Sequence, residues 1–247
     1  MGELIKPNIE VFPEPSELAQ AAADLFIEAA QRALDYKGSF TVALSGGRTP
    51  RLLFECLTES SGAKALPWSQ CHVFWVDERY VPATDSASNF KMANEFLLKP
   101  LDVPEANIHR MGTELDLDEA VSEYESTLRS VFSLQPGEVP RFDLIQLGMG
   151  PDGHTASLFP NAYRAETQKL VVWTVPPIAP HHRITLTPRV LRAGAQLMVL
   201  LSGQDKAGML KTVFESDPDV MKYPVQTLWP VLDRVVWLLD SEAASEL

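Results

Sequence analysis

The sequence predicts an α/β protein with a mainly parallel sheet that is covered by helices on both faces. Short apolar runs of strand length alternate along the chain with longer stretches in which apolar residues recur at helical spacing. Repeated strand-then-helix units of this kind indicate a parallel sheet between helical layers. The 247 residues are 45% hydrophobic, which is enough for a sizeable core, and they contain no internal repeat or linker-like tract. Residues 1–247 are therefore predicted to form one domain.

The elements follow one another in the order expected for such a sheet. A helix is predicted over residues 16–36 with Ser16 as its N-cap, followed by a strand at 40–44. Thr49, a capping residue, followed by Pro50 at the first helical position, predicts the start of a second helix. Further strands are predicted at residues 72–76, from 142, and at 170–175, 183–187, 196–201 and 235–239; further helices at 88–98, 116–132, 205–214 and near the C-terminus; and a loop at 134–140.

Composition argues against several classes of protein. The formal net charge of −12 disfavours a nucleic-acid-binding protein, which needs a basic face. No apolar run approaches the roughly 18 residues of a membrane span, and residues 1–11 lack the apolar core of a secretory signal. The two cysteines, Cys56 and Cys71, fit neither a metal-binding spacing nor a disulfide framework. We therefore expect a cytoplasmic protein with no membrane or nucleic-acid partner.

A glycine turn between the first predicted strand and the second helix is a candidate anion site. Its residues are Ser45, Gly46, Gly47, Arg48 and Thr49. Backbone amides at the start of a helix are unpaired, and the helix dipole favours negative charge there. Two hydroxyls and a guanidinium accompany these amides, so phosphate binding is favoured over an ordinary strand-to-helix turn. The turn lacks the Gly-Lys-Ser/Thr ending of a Walker loop.

A second glycine-rich turn, which follows the strand from residue 142, carries an aspartate and a histidine two residues apart. Asp152 and His154 lie where ligands approach a parallel sheet, and an imidazole can transfer protons near neutral pH. Residues 148–153 also fit the dinucleotide pattern G-x-G-x-x-G. Pro151 within the turn and the absence of a long following helix argue against that interpretation. His154 is therefore predicted to be catalytic rather than structural.

Four cations are predicted to lie near strand ends, where they would supply the positive charge that the acidic composition lacks. Arg48 belongs to the first glycine turn, and Arg79 ends the sequence Val-Asp-Glu-Arg after the strand at 72–76. Arg183 opens a later strand, and Lys206 stands at the start of a helix, where a cation opposes the dipole. The three charges at residues 77–79 directly follow a buried strand and are expected to point into the same site, although for this motif taken alone a surface cluster of ion pairs is the favoured explanation.

These motifs together resemble the 6-phosphogluconolactonases over nearly the whole chain. The resemblance implies a Rossmann-like α/β fold, shared with glucosamine-6-phosphate deaminases, and no cofactor or metal. It also implies hydrolysis of 6-phospho-D-glucono-1,5-lactone to 6-phosphogluconate, the second step of the oxidative pentose phosphate pathway. The matching segments are SGGRTP (45–50), VDER (76–79), DSASN (85–89), LGMGPDGHTASLFP (147–160) and GQDKA (203–207).

The deaminases are the nearest alternative, because they share the glycine loop and the Asp-Gly-His block. In them a glutamate falls five residues past the histidine and helps to orient it, whereas here that position is Phe159. The deaminases also have Asp-Glu-Tyr where this chain has Arg79 as the third residue. Both departures favour the lactonase. A non-catalytic sugar-phosphate sensor is a further alternative, which the presence of His154 disfavours.

The residues and the resemblance together suggest roles for the site. His154 is expected to take a proton from water that attacks the lactone, with Asp152 orienting or stabilising the imidazole. Arg79 or backbone amides would stabilise the oxyanion, or Arg79 would instead help to hold the phosphate. The first glycine turn, with Arg183 and Lys206, would bind the phosphate, whose charge of about −1.5 to −2 suits several cations. The sequence leaves the oligomeric state open between monomer and homodimer.

Overall fold

The computed structural model describes residues 7–165, 167–177 and 181–247. The predictions made for Met1–Lys6 and for Ala179-Pro180 lie outside these residues. The strands are β1 (Asn8–Phe12), β2 (Phe40–Leu44), β3 (Cys71–Trp75), β4 (Asp77–Arg79), β5 (Ile108–His109), β6 (Leu144–Leu147), β7 (Val171–Thr174), β8 (Arg183–Leu186), β9 (Gln196–Leu201) and β10 (Val235–Asp240). The helices are α1 (Pro15–Lys37), α2 (Arg48–Glu59), α3 (Ser61–Lys64), α4 (Asn89–Ala93, continued by a π-helix at Asn94–Leu98), α5 (Leu117–Val131), α6 (Pro188–Ala193) and α7 (Ala207–Glu215). Short 3₁₀ segments lie at Trp68–Gln70, Glu105–Asn107, Gln204–Lys206 and Pro224–Arg234.

Seven strands form one parallel sheet in the order β1-β10-β9-β6-β2-β3-β5. Every residue of β2 and β6 is buried. Burial along a whole strand requires cover on both faces, which is the arrangement expected of a parallel sheet between helices. The predicted fold class is therefore confirmed.

A second sheet, which was not predicted, has the order β4-β8-β7 and is antiparallel. The stretches containing β7 and β8 were correctly predicted to be strands, but the sequence analysis placed them in the parallel sheet. A single residue, Val76, separates β3 from β4, which is far too short for the crossover that parallel neighbours need. The chain therefore leaves the parallel sheet after β3, and β4 pairs with β8 in a separate sheet beside it.

Several predicted boundaries need correction. Glu14 rather than Ser16 is the N-cap of α1, because Pro15 occupies the first turn. Helix α2 begins at Arg48 with Gly47 as its N-cap, so Thr49 lies inside the helix instead of capping it. Strand β1 was missed because its mixed polar and apolar residues lie at the edge of the sheet, partly exposed. The helical pattern near the C-terminus is the 3₁₀ segment Pro224–Arg234, which has Pro230 inside it.

The carboxyl ends of β2, β3 and β6 meet at one edge of the parallel sheet, and β4 and β8 stand beside them. The residues that immediately follow these three strands are Ser45, Val76 and Gly148. Ligands bind at this edge in parallel α/β sheets. Among the described helices, none is long and apolar enough to cross a membrane.

Candidate active site

A pocket of about 290 Å³ lies at the carboxyl ends of β2 and β6, against the antiparallel sheet. Its walls come from the first glycine turn, from β4 and β8, and from the segment around the histidine. The lining residues are Ser45, Gly46, Asp77, Arg79, Asn89, Gly148, Met149, Gly150, His154, Ala156, Ser157, Phe159 and Arg183. Four of the predicted site side chains and three glycines of the predicted turns thus meet in one cavity.

The imidazole of His154 is held by the neighbouring carboxylate. His154 Nδ1 lies 2.6 Å from Asp152 Oδ1, and the His154 backbone amide donates to the same oxygen over 3.2 Å. Partial burial raises the pKa of Asp152, but its hydrogen bonds to His154 and the nearby imidazole outweigh this effect and leave the pKa below its ordinary value. An ionised Asp152 only accepts hydrogen bonds, so it places the proton of a neutral imidazole on Nδ1. The other ring nitrogen, Nε2, is then the proton acceptor.

The imidazole lies directly over the backbone of the glycine turn. A Cβ on Gly150 would stand 2.1 Å from both His154 Cε1 and His154 Nδ1. The Gly150 amide also donates to the His154 carbonyl over 2.8 Å. Glycine is therefore required at position 150 by the close approach of the ring. The segment that follows the turn contains a two-residue bridge, Thr155 with Leu158, in place of the helix that a dinucleotide motif would open.

Two arginines project into the pocket from neighbouring strands. Arg79 of β4 and Arg183 of β8 are directly paired in register, so their side chains share a face of the antiparallel sheet. Neither forms an ion pair within 4 Å with a carboxylate of the described residues. Burial lowers the pKa of Arg183, and the charge of Arg79 lowers it further. Two arginines that share a face and form no ion pair with a carboxylate of the described residues make this wall of the pocket suited to an anion.

The sequence predicts that the charges at residues 77–79 all point into one site, but in the structure only two of the three do so. Side chains alternate across a strand, so Asp77 and Arg79 face the pocket while Glu78 points away. Glu78 accepts hydrogen bonds from the backbone amides of Asn89 and Phe90 at the start of α4, both over 2.7 Å. Burial raises the pKa of Glu78, and these backbone hydrogen bonds oppose the rise. Glu78 therefore has a structural position at a helix N-terminus.

In the first glycine turn, the hydroxyl and the backbone amide of Ser45 are both used in contacts within the protein. The Ser45 amide donates to Gln146 Oε1 and the Ser45 hydroxyl donates to the Gln146 carbonyl, each over 2.9 Å. The Ser45 donors are thus used within the fold. At Gly46, a Cβ would lie 1.8 Å from Asn89 Oδ1, so the amide of Asn89 packs on the glycine backbone. Thr49 lines neither this pocket nor the neighbouring pocket that contains Gly47 and Arg48.

An adjoining pocket of about 390 Å³ holds Gly47 and Arg48 and shares Arg79 and Asn89 with the first. Arg48 forms no ion pair within 4 Å among the described side chains, whereas Arg51 pairs with Glu55. Arg48 and the first amides of α2 are therefore available to a ligand.

Lys206 lines neither of these two pockets and instead forms an ion pair of 2.9 Å with Asp205. That ion pair gives Lys206 a partner within the fold, and its contact with a bound phosphate stays a prediction. The hydrogen bond from Lys206 holds the pKa of Asp205 below its ordinary range.

Asn89 and Ser157 line the pocket although the sequence analysis gave them no role in the site. Asn89 Nδ2 donates to the Asp77 carbonyl over 2.9 Å, and Ser157 Oγ donates to Asp77 Oδ2 over 2.5 Å. Asn89 lies in the motif DSASN and Ser157 in the motif LGMGPDGHTASLFP, and membership of these motifs was the only feature of the sequence that could have marked them as site residues. Their contacts join segments far apart in sequence, so residue spacing could not reveal them.

The site therefore offers an oriented base, two neighbouring arginines and free helix amides around two adjoining pockets. Within residues 7–165, 167–177 and 181–247, no group of three or more His, Cys, Asp or Glu side chains is placed to hold a metal ion. The groups present can activate water and stabilise an anion.

The chain is similar in sequence to proteins of one family. A family model described as glucosamine-6-phosphate isomerases/6-phosphogluconolactonase matches residues 13–237. A protein of Nostoc sp. named 6-phosphogluconolactonase is 38% identical, over 98% of this chain and 99% of the relative. Proteins of the same name from Synechocystis sp. and Mycobacterium tuberculosis are 36% and 35% identical, each covering at least 97% of both chains.

Solved structures give the same picture. The 6-phosphogluconolactonase of Trypanosoma brucei superposes with a TM-score of 0.87 at 27% identity, over 98% of this chain and 99% of that one. A structure titled devB protein gives a TM-score of 0.88 at 31% identity, over 97% and 99%. A monomeric glucosamine-6-phosphate deaminase gives 0.81 at 20% identity, over 97% and 100%, which is a likeness of fold alone.

Proposed function

Because this chain belongs to the glucosamine-6-phosphate isomerase/6-phosphogluconolactonase family, we propose that it is an enzyme that hydrolyses 6-phospho-D-glucono-1,5-lactone to 6-phospho-D-gluconate. Relatives named 6-phosphogluconolactonase match it over nearly their whole length at 35–38% identity. The sequence of the glucosamine-6-phosphate deaminase structure is only 20% identical to this chain.

The contact of 2.6 Å between His154 Nδ1 and Asp152 Oδ1, inside a pocket walled by Arg79 and Arg183, is the observation that carries this proposal. The contact orients the base, and the two arginines give the pocket its preference for an anionic electrophile. A carboxylate that fixes the imidazole tautomer leaves Nε2 free to accept a proton from water.

We propose that hydrolysis begins with transfer of a proton from water to His154 Nε2 as the water oxygen attacks the lactone carbonyl carbon. A C–O bond forms and the carbonyl becomes a tetrahedral oxyanion, which the guanidinium of Arg79 or Arg183 stabilises. The ring C–O bond then breaks, and the imidazolium returns its proton to the departing ring oxygen. The product is a carboxylic acid that loses one proton to solvent. General-base assistance of this kind contributes about 10²–10⁴-fold to the rate.

The adjoining pocket is the proposed place of the substrate phosphate. Arg48, the Gly47 turn and the first amides of α2 supply a cation and unpaired donors, and Arg79 lies between this region and His154. Of the other residues expected at the phosphate, Ser45 and Gly46 line the His154 pocket, and Thr49 and Lys206 line neither pocket. We accordingly propose Arg48 and Arg79, which line this adjoining pocket, as the principal cationic contacts of the phosphate, and Arg183, which lines only the pocket of His154, as a cationic contact on the lactone side.

We also propose that this reaction serves the oxidative pentose phosphate pathway in the cytoplasm, with no cofactor and no nucleic-acid partner. Strand β1 pairs with β10, so both ends of the described chain belong to one sheet. This pairing supports a single domain over residues 1–247.

The test is a comparison of two reactions with the purified wild-type protein. Lactone would be generated in place and acid release followed above the spontaneous rate, and ammonia release from glucosamine 6-phosphate would be followed in parallel. We expect rapid lactone hydrolysis and no deamination. Deamination without lactone hydrolysis would assign the chain to the other activity of its family.

A further inference from the structure

The proposed function assigns no role to Asp77, although this residue lines the same pocket as His154. Asp77 is only 7% exposed, and it stands on the same face of β4 as Arg79, beside Arg183 of β8. A buried carboxylate in a cavity that receives an anionic substrate is unfavourable unless it makes a contact that offsets its burial. Its place therefore calls for a ligand that donates a hydrogen bond.

One oxygen of this carboxylate is used within the protein. Asp77 Oδ2 accepts a hydrogen bond of 2.5 Å from Ser157 Oγ, which itself is buried. This bond fixes the carboxylate plane relative to the pocket.

The other oxygen has no adequate partner among the described residues. Asp77 Oδ1 has a single contact, 3.5 Å from Asn89 Nδ2, and that amide makes a better hydrogen bond of 2.9 Å to the Asp77 carbonyl. A separation of 3.5 Å is at the limit of hydrogen bonding. Asp77 also lies more than 4 Å from either guanidinium, because it forms no ion pair with Arg79 or Arg183. Among the described residues, Oδ1 therefore has no hydrogen-bond donor comparable to the one that Oδ2 has in Ser157.

Resting on the proposed function, we propose that Asp77 accepts a hydrogen bond from a ring hydroxyl of the sugar lactone and makes the enzyme selective for hydroxylated substrates. Hydroxyl groups are the donors that a sugar phosphate offers, and its phosphate is repelled by the same carboxylate. Asp77 lines the pocket of His154 but not the adjoining pocket of Arg48. The ring therefore lies over Asp77 and the phosphate points toward Arg48.

The experiment measures binding, so that it does not depend on turnover. Titration calorimetry would give Kd for 1,5-anhydroglucitol 6-phosphate, a ring analogue of the lactone that cannot be hydrolysed, and for its 2-, 3- and 4-deoxy derivatives, with wild type and with Asp77→Asn. In wild type, loss of the hydroxyl that Asp77 contacts should weaken binding about 10- to 100-fold, as expected for a hydrogen bond to a charged group. In Asp77→Asn, Ser157 selects the amide oxygen and turns the NH₂ toward the pocket. Discrimination against that one analogue should fall to within about 3-fold by the same reasoning.

Asp143→Asn is the matched control. Asp143 is a partly buried aspartate that accepts hydrogen bonds from Thr41 and pairs with Lys37 at the opposite end of the sheet. Its replacement should leave discrimination among the four ligands unchanged. If Asp77→Asn fails to fold, Ser157→Ala, which frees the carboxylate to rotate, should reduce the same discrimination.

The proposal is overturned if wild type distinguishes none of the deoxy analogues, if it binds none of the ligands, or if the discrimination survives in the folded variant. Lactone hydrolysis by wild type with unchanged discrimination in the variant would refute the role of Asp77 alone. Lost discrimination in a protein without lactonase activity would support the hydroxyl contact and refute the proposed reaction.

Discussion

At the scale of single residues, the sequence predicted which residues carry the chemistry but could not define their contacts. His154 and Asp152 stood out because a titratable pair follows a glycine-rich strand end, and the structure joins them at 2.6 Å. Residue types alone could not show that Lys206 pairs with its neighbour Asp205. They also could not show that Glu78 turns from the pocket to the start of α4, because that depends on the strand alternation of the unpredicted β4.

Replacing Asp152 by asparagine should lower kcat by about 10²–10⁴-fold with little change in KM, by analogy with loss of the orienting carboxylate in other histidine-dependent hydrolases. An amide can donate to His154 Nδ1, which would move the ring proton to Nε2 and remove the base. Asp24→Asn, an exposed change on α1, serves as the control and should behave as wild type. Steady-state lactone hydrolysis gives both constants. A normal kcat for Asp152→Asn would show that this carboxylate does not orient the base.

At the scale of elements, periodicity identified the long helices, most of the buried parallel strands, and β7 and β8 as strands, but it missed β4 and β5 and the antiparallel pairing of β7 with β8. Strand β4 has three residues and β5 has two, too few to show any period. Their existence depends on pairing with strands distant in sequence. The arrangement of the site follows from such pairing, since β4 and β8 bring Arg79 beside Arg183.

The contact between the first glycine turn and α4 gives a prediction at this scale. Gly46→Ala should lower the free energy of unfolding by about 1–3 kcal/mol, because the new Cβ overlaps Asn89 Oδ1 and overpacked sites cost this much. It should also raise KM, since Asn89 lines both pockets. Denaturant unfolding and lactone kinetics would measure the two effects.

Adding Asn89→Ala to Gly46→Ala should recover part of the lost stability, because it removes the atoms that clash. Gly208→Ala in α7 is the control, since a Cβ there meets its nearest neighbour at an ordinary 3.6 Å. If Gly46→Ala were as stable as wild type, the close packing of Asn89 on the turn would be refuted.

At the scale of the whole molecule, the order of buried strands and helices was enough to predict a parallel α/β sheet and the edge at which ligands bind. Burial on both faces of β2 and β6 follows from their mainly apolar sequences, in which Thr41 and Gln146 are the polar residues. The division into a seven-stranded and a three-stranded sheet could not be predicted, because it is decided by which distant segments pair after the chain leaves β3.

The central claim is that this fold brings one oriented histidine to a cavity prepared for a phosphorylated lactone. Its most direct test is the rate of 6-phosphogluconolactone hydrolysis by His154→Ala relative to wild type, at saturating substrate and neutral pH. We predict a loss of about 10²–10⁴-fold in kcat with a nearly unchanged KM, since the imidazole acts on water rather than on the phosphate. A His154→Ala variant that hydrolyses the lactone as fast as wild type would contradict the account.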